Sequence, residues 1–91
     1  MQVKLYGLIR QAAGTKLVEM EVYPGLRVRE ILEKLTQDYP AIEKYIWKEP
    51  GQISELAHIF INGENIRHLA GLDSPLKTED HVDIFPPVVG G

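Results

Sequence analysis

Val18-Glu19-Met20-Glu21-Val22-Tyr23-Pro24-Gly25-Leu26-Arg27-Val28-Arg29-Glu30-Ile31-Leu32-Glu33-Lys34-Leu35 changes its apolar period once. That change decides the fold. Before Pro24-Gly25, Val18, Met20 and Val22 alternate with Glu19, Glu21 and Tyr23, the period of a strand with one buried face. After it, Val28, Ile31, Leu32 and Leu35 fall at i, i+3, i+4 and i+7, the stripe of a half-buried helix. Arg29, Glu30, Glu33 and Lys34 cover the outer side of that helix. Pro24-Gly25 marks the joint, and Asp38-Tyr39-Pro40 ends the helix because the residue before a proline is pushed out of helical geometry. A strand over 16–23 therefore feeds directly into a helix.

Working outward towards residue 1, Val3, Leu5 and Ile9 alternate with Gln2, Lys4 and Tyr6, which predicts a strand over 2–9. Ala13-Gly14-Thr15 reads as a turn, so the first two strands form a hairpin. In the other direction, residues 41–49 read as a short second helix with Ile42, Tyr45 and Ile46 facing inward, and 50–55 as a loop. Ala57 to Ile61 is a third strand, stopped by Asn62-Gly63, a strong hairpin signal. Glu64 to His68 reads as a short return strand, Ala70 to Glu79 as a polar, turn-rich stretch, and His81 to Phe85 as the last strand. The order is β-β-α-(α)-β-β-β. A hairpin, a crossover helix and a last strand in the sheet centre describe a mixed sheet curled over one main helix. This is the α+β arrangement called the β-grasp, or ubiquitin-like fold. Ninety-one residues are expected to form one domain over 1–91, with an extended tail over 86–91.

Strand parity divides the apolar residues between two faces. If Val3, Leu5, Val18, Met20, Val22, Ile59, Ile61, Val82 and Ile84 face the helix, then Tyr6, Leu8, Phe60 and Phe85 face away. One helix cannot cover both sides. An apolar patch on the open face beside the tail is expected to be a docking surface; the plainer alternative is that loops half-cover it.

The tail reads Phe85-Pro86-Pro87-Val88-Val89-Gly90-Gly91. The two prolines lack N–H groups, cannot continue a central strand and favour an extended, solvated chain. Gly90 and Gly91 have no Cβ, so their backbone passes through channels too narrow for other residues. Fully stretched, residues 86–91 span roughly 20 Å. The expectation is a Gly-Gly carboxylate held away from a globular body, as a handle for another enzyme. The dipeptide alone reads equally well as an accident of composition or a terminal remnant.

The remaining composition narrows the function. A net charge of −3 argues against non-specific nucleic-acid binding. The absence of Cys excludes a disulfide framework, a thiolate metal site and a thiol nucleophile, so any sulfur chemistry must come from a partner. The first residues do not read as a signal peptide, and no stretch approaches the roughly 20 apolar residues of a membrane span. A soluble, cytoplasmic protein with no membrane partner is expected. His58, His68 and His81 lack metal-site spacing, and no metal site is expected. Asp73, Asp80 and Asp83 read as turn and strand-surface residues rather than an acid–base pair. Gly7 and Gly14 are too far apart for a phosphate loop, and neither is expected to open a helix. Arg67 reads as a contact for an acidic partner or, as readily, as a solvated charge.

On four segments the chain resembles the MoaD/ThiS family of ubiquitin-like sulfur carriers. Tyr6-Gly7-Leu8-Ile9-Arg10-Gln11-Ala12-Ala13-Gly14 is similar to its first strand and following turn. Pro24-Gly25 with the Val28–Leu35 stripe is similar to its helix entry, Ile61-Asn62-Gly63 to its hairpin, and Phe85 to Gly91 to its C-terminal signature. Val89 departs from the usual small Ser or Ala. Residues 65–76 and the insertion at 41–55 look like the longer archaeal-type members and the carriers linked to cysteine synthesis.

The resemblance implies a chemistry. A C-terminal carboxylate has a pKa around 3.5 and is a poor electrophile at neutral pH. In the family an E1-like activating enzyme spends ATP, with Mg, to form an acyl-adenylate on the last glycine, here Gly91. A sulfur donor then displaces AMP and leaves a thiocarboxylate that delivers sulfide. On this reading the chain is a carrier and not a catalyst, and it binds no cofactor of its own. Gly90 and Gly91 are the reacting end. Tyr6, Leu8, Phe60, Phe85, Pro86, Pro87 and Val88 meet partners: the activating enzyme and a catalytic subunit such as the molybdopterin synthase large subunit. The alternatives are a carrier for cysteine synthesis or tRNA thiolation, a protein modifier joined to lysines through Gly91, and a plain interaction module.

Overall fold

The computed structural model describes residues 1–87. β1 (Gln2–Leu5) pairs antiparallel with β2 (Leu17–Glu19). β1 also pairs in parallel with β7 (His81–Phe85), which pairs on its other side, antiparallel, with β5 (His58–Ile61). β6 (Glu64–Asn65) completes the order β2-β1-β7-β5-β6. The last strand therefore lies at the centre of a mixed sheet, as the sequence predicts for a β-grasp.

Helix α2 (Val28–Asp38) buries Val28, Ile31, Leu32 and Leu35, the stripe read from the sequence. Against it stand Val3, Leu5, Ile59, Ile61, Val82 and Ile84, all buried and all on the same face by parity. Burying a side chain of this size contributes about 1.5–3 kcal/mol, so this layer carries most of the stability. Val18, Met20 and Val22 are half-buried and pack on its margin. The turn-rich stretch after β6 straps the start of α2. Ser74 O accepts the Val28 N–H at 3.1 Å, and Leu26 O accepts the Leu76 N–H at 3.0 Å. Asp73 lies 3.6 Å from Arg27 and 3.4 Å from Arg29.

Four segments differ from the sequence expectation. The first strand stops at Leu5 rather than running to residue 9, and helix α1 (Gly7–Ala13) follows. Gly7 sits at φ +54, which breaks the extended run, and Gly14 caps the other end in the left-handed region with its N–H donating to Arg10 O. The regular second strand spans only Leu17–Glu19, with single backbone bonds at Lys16 and Met20 extending its pairing with the first. Residues 40–46 are helical as predicted, a 3-10 turn (Pro40–Ile42) leading into α3 (Glu43–Ile46). Ile42 and Ile46 are buried and Tyr45 half-buried. Trp47–Glu49 instead forms β3, paired across Pro50-Gly51 with β4 (Gln52–Ile53) in a separate two-stranded sheet. It is anchored by the Trp47 indole N–H, which donates to Thr36 Oγ1 at 3.2 Å. Finally, the return strand ends at Asn65, whose side chain accepts the Arg67 N–H at 2.9 Å and turns the chain into a 3-10 helix over Ile66–His68.

Candidate functional site

The site is built where β7 leaves the sheet. On β7, Val82 and Ile84 point to the core and Asp83 and Phe85 to the open face. Tyr6 follows β1, the parallel neighbour of β7, and its N–H donates to Ile84 O at 3.2 Å. This bond sets the Tyr6 ring flat on Phe85, with centroids 4.1 Å apart and planes at 12°. Phe60, from β5 on the other side, meets Phe85 edge-on at 5.6 Å and 86°. The edge-on contact is a favoured aromatic geometry, and the Tyr6–Phe85 pair is a close, nearly parallel stack. The Tyr6 hydroxyl donates to Asp83 Oδ1 at 2.9 Å, and Lys4 Nζ lies 5.5 Å from the Tyr6 ring centre. Partial burial, then the hydrogen bond to the Asp83 carboxylate and its negative charge, hold the Tyr6 phenol above its ordinary value of 10.0. β5, β7 and the residue after β1 thus contribute one aromatic each, and Tyr6, Phe60 and Phe85 come together as parity predicts.

Leu8 does not join them on the sheet. It lies on α1, where it is 39% exposed. A strand over 2–9 would have aligned it with Tyr6; the break at Gly7 removes it from that face.

Gly7 is the residue that sequence reasoning missed. A Cβ placed on it would lie 2.9 Å from Pro86 Cγ and 3.4 Å from Pro86 Cδ. The Pro86 ring therefore rests against bare backbone at the start of α1, where any side chain would displace it. Gly7 does open a helix, contrary to expectation, but the helix has only seven residues, and the Pro86 ring stands where a Gly7 side chain would point. The available signal was a glycine directly after the last aromatic of a strand, facing a Pro-Pro pair at the end of the neighbouring strand. Pro86 and Pro87 are both half-buried, so the tail starts from a fixed root. Val88, Val89, Gly90 and Gly91 lie outside the described residues.

Chemically, the described residues offer a surface rather than a reaction centre. They hold no group of three or more His, Cys, Asp or Glu arranged for a metal ion. Their helices include none long and apolar enough to cross a membrane. What they build is an aromatic platform on an uncovered sheet face, joined to a pinned tail root.

A mixed sheet with its last strand central, one main helix across one face and a tail leaving the sheet defines a ubiquitin-like β-grasp protein. The chain belongs to the ThiS family, whose model matches residues 3–91. It is similar to the small archaeal modifier protein 1 of Methanosarcina acetivorans, at 38% identity and a TM-score of 0.84, covering 99% of this chain and 94% of that one. It is similar to the sulfur carrier protein CysO of Mycobacterium tuberculosis, 29% identical over 63 residues, which cover 67% of this chain and 68% of CysO. A Pyrococcus furiosus protein provisionally named molybdopterin converting factor subunit 1 matches at 28% identity and a TM-score of 0.75, covering 96% and 95% of the two chains. The protein is thus a ubiquitin-like member of the group that holds sulfur carriers and small archaeal modifiers.

Proposed function

We propose that this chain is a sulfur carrier whose Gly91 is adenylated by an E1-like activating enzyme and converted to a thiocarboxylate. The observation that supports it best is the fixed tail root. Tyr6 and Phe85 stack at the end of β7 and Gly7 leaves room for the Pro86 ring, so a partner docked on the open face meets the tail root at a fixed place. In the first step, the Gly91 carboxylate attacks the α-phosphate of ATP and pyrophosphate leaves. In the second, hydrosulfide attacks the acyl carbon, the bond from that carbon to the AMP oxygen breaks with its electron pair going to AMP, and the thiocarboxylate remains. ATP and Mg belong to the activating enzyme, and the carrier supplies docking and presentation only. The chain acts in the cytoplasm as one domain over 1–91 and does not itself catalyse a reaction.

The acceptor we propose is a molybdopterin precursor held by a molybdopterin synthase large subunit, a reading supported by the likeness to the Pyrococcus furiosus protein. Phe60 and Phe85 then dock that subunit, and Val88 to Gly91 enter its active site. A second reading, conjugation of Gly91 to protein lysines, is favoured by the nearly full-length likeness to small archaeal modifier protein 1. One experiment separates them. The thiocarboxylated chain is mixed with the large subunit and precursor, and the products are analysed for a dithiolene and for isopeptides. Dithiolene formation is expected. Isopeptide products without dithiolene would overturn the molybdopterin reading in favour of the modifier.

A further inference from the structure

The helix-side edge of the sheet carries a second surface, unrelated to the tail. β2 is an outer strand, so among the described residues one side of its backbone meets no strand. The Met20 N–H donates to Met1 O at 2.9 Å and the Leu5 N–H to Lys16 O at 2.9 Å. Residues 16, 18 and 20 therefore turn their amide groups to β1, and residues 17, 19 and 21 turn theirs outward. At Leu17 the edge is closed by Thr15, whose hydroxyl donates to Leu17 O at 3.1 Å and accepts the Leu17 N–H at 3.4 Å. Glu19 and Glu21 lack this cover: their outward N–H and C=O groups have no partner among the described residues. An open edge of this kind accepts an added strand.

Beside it, a groove of about 420 Å³ runs between residues 18–23 and α2. Val18, Met20, Leu26 and Ile31 give it an apolar floor, and Glu19, Glu21, Tyr23, Glu30, Lys34 and Asp38 line it as well. Lys34 does not neutralise the glutamates, because its Nζ is paired with Asp38 at 3.1 Å. Charge then selects the occupant. A second copy pairing edge to edge would set Glu19 and Glu21 against the same carboxylates, and like charges placed opposite each other are destabilising. In an added strand, apolar residues at alternate positions lie over that floor, and Lys or Arg between them point to the other face of the sheet, where parity places Glu19 and Glu21. Glu19 is already 3.8 Å from the Met1 ammonium, so Glu21 is the main charge partner.

From this geometry we infer that the β2 edge and the α2 groove dock an extended, basic-apolar segment of a partner protein, by strand addition. The groove opens on the helix side and the aromatic platform on the other, so one molecule can hold both partners at once.

The test is a titration of the isotope-labelled full chain, followed by amide NMR. The probe is a capped peptide of about seven residues alternating Val and Lys. Amide shifts over residues 18–23 and 30–34 are expected, with the Phe60 and Phe85 signals unmoved. Glu21→Lys is expected to weaken binding about threefold, the scale of one exposed ion pair. N-methylation of the peptide at alternate residues, which leaves the protein untouched, is expected to abolish binding if the methylated amides face Glu19 and Glu21. The inference is overturned if no shifts appear at about 1 mM peptide, where even weak strand addition registers. Equal binding of a Val-Glu peptide, equal binding of the N-methylated peptide, or self-association through the edge would overturn it as well.

Discussion

The two faces of the central sheet are made from the same strands and are built for different ends. On the helix side, Ile84, Val82 and Ile59 are at most 1% exposed and interlock with α2. On the other side, Phe85, Asp83 and Phe60 alternate with them along the same backbone, only half-buried, and are held by two ring contacts and one hydrogen bond. The first face is filled to the density that stability requires. The second is left uncovered, and it carries the residues that fix the tail root. In one strand, odd and even positions thus answer to separate demands: folding on one side and, on the proposal above, partner recognition on the other.

Substitutions that strike one face and spare the other test this division. The largest effect on folding is expected from Ile84→Ala, which opens a cavity under α2 and costs about 2–5 kcal/mol in denaturant unfolding. Its neighbour Phe85→Ala should cost only about 1–2 kcal/mol, since its ring is half-exposed and loses mainly its stacking. Yet it should lower kcat/KM for activation by an E1-like enzyme by about tenfold, as expected for an aromatic anchor. If Phe85→Ala proved as destabilising as Ile84→Ala and bound partners normally, the division between faces would fail. Gly7→Ala falls next: the left-handed backbone and the contact with Pro86 together cost about 1–2 kcal/mol. A circular-dichroism melt should show this loss, with the drop in activation exceeding what the unfolded fraction explains.

The smallest effect is that of Tyr6→Phe, under about 1 kcal/mol at neutral pH because the hydrogen bond is only partly buried. Its signature is in pH dependence. The folded phenol keeps its proton to higher pH than the unfolded one, so the folded state binds more protons in that window. This increment of stability is complete below about pH 10 and is lost as pH rises through the folded value. Unfolding measured from pH 8 upward should fall more steeply for the wild type than for Tyr6→Phe, in which that loss is absent.

Much of this was legible in sequence because period and parity are strong signals. The switch from alternation to the i, i+3, i+4 stripe at Pro24-Gly25 located α2, and the alternation through His81–Phe85 located the central strand and its two faces. The region around Gly7 was not legible. Tyr6, Leu8 and Ile9 fit a strand pattern and a short helix equally well, and only the backbone angle at Gly7 chooses between them. Ile9, Ala12 and Ala13 carry a weak helical spacing, and Gly14 the matching cap, but seven residues give a period little room to show. The pairing of Gly7 with Pro86 is a contact between residues 79 positions apart, which no local pattern encodes. The Trp47–Ile53 hairpin was missed because three- and two-residue strands are too short to alternate.

The most direct measurement is the intact mass of the chain after incubation with a cognate E1-like activating enzyme, ATP and a sulfide source. The expected result is a gain corresponding to one sulfur in place of one oxygen, localised to Gly91 and absent when Gly91 is deleted from an otherwise folded chain. An unchanged mass in the presence of an activating enzyme shown to adenylate its own carrier would contradict it.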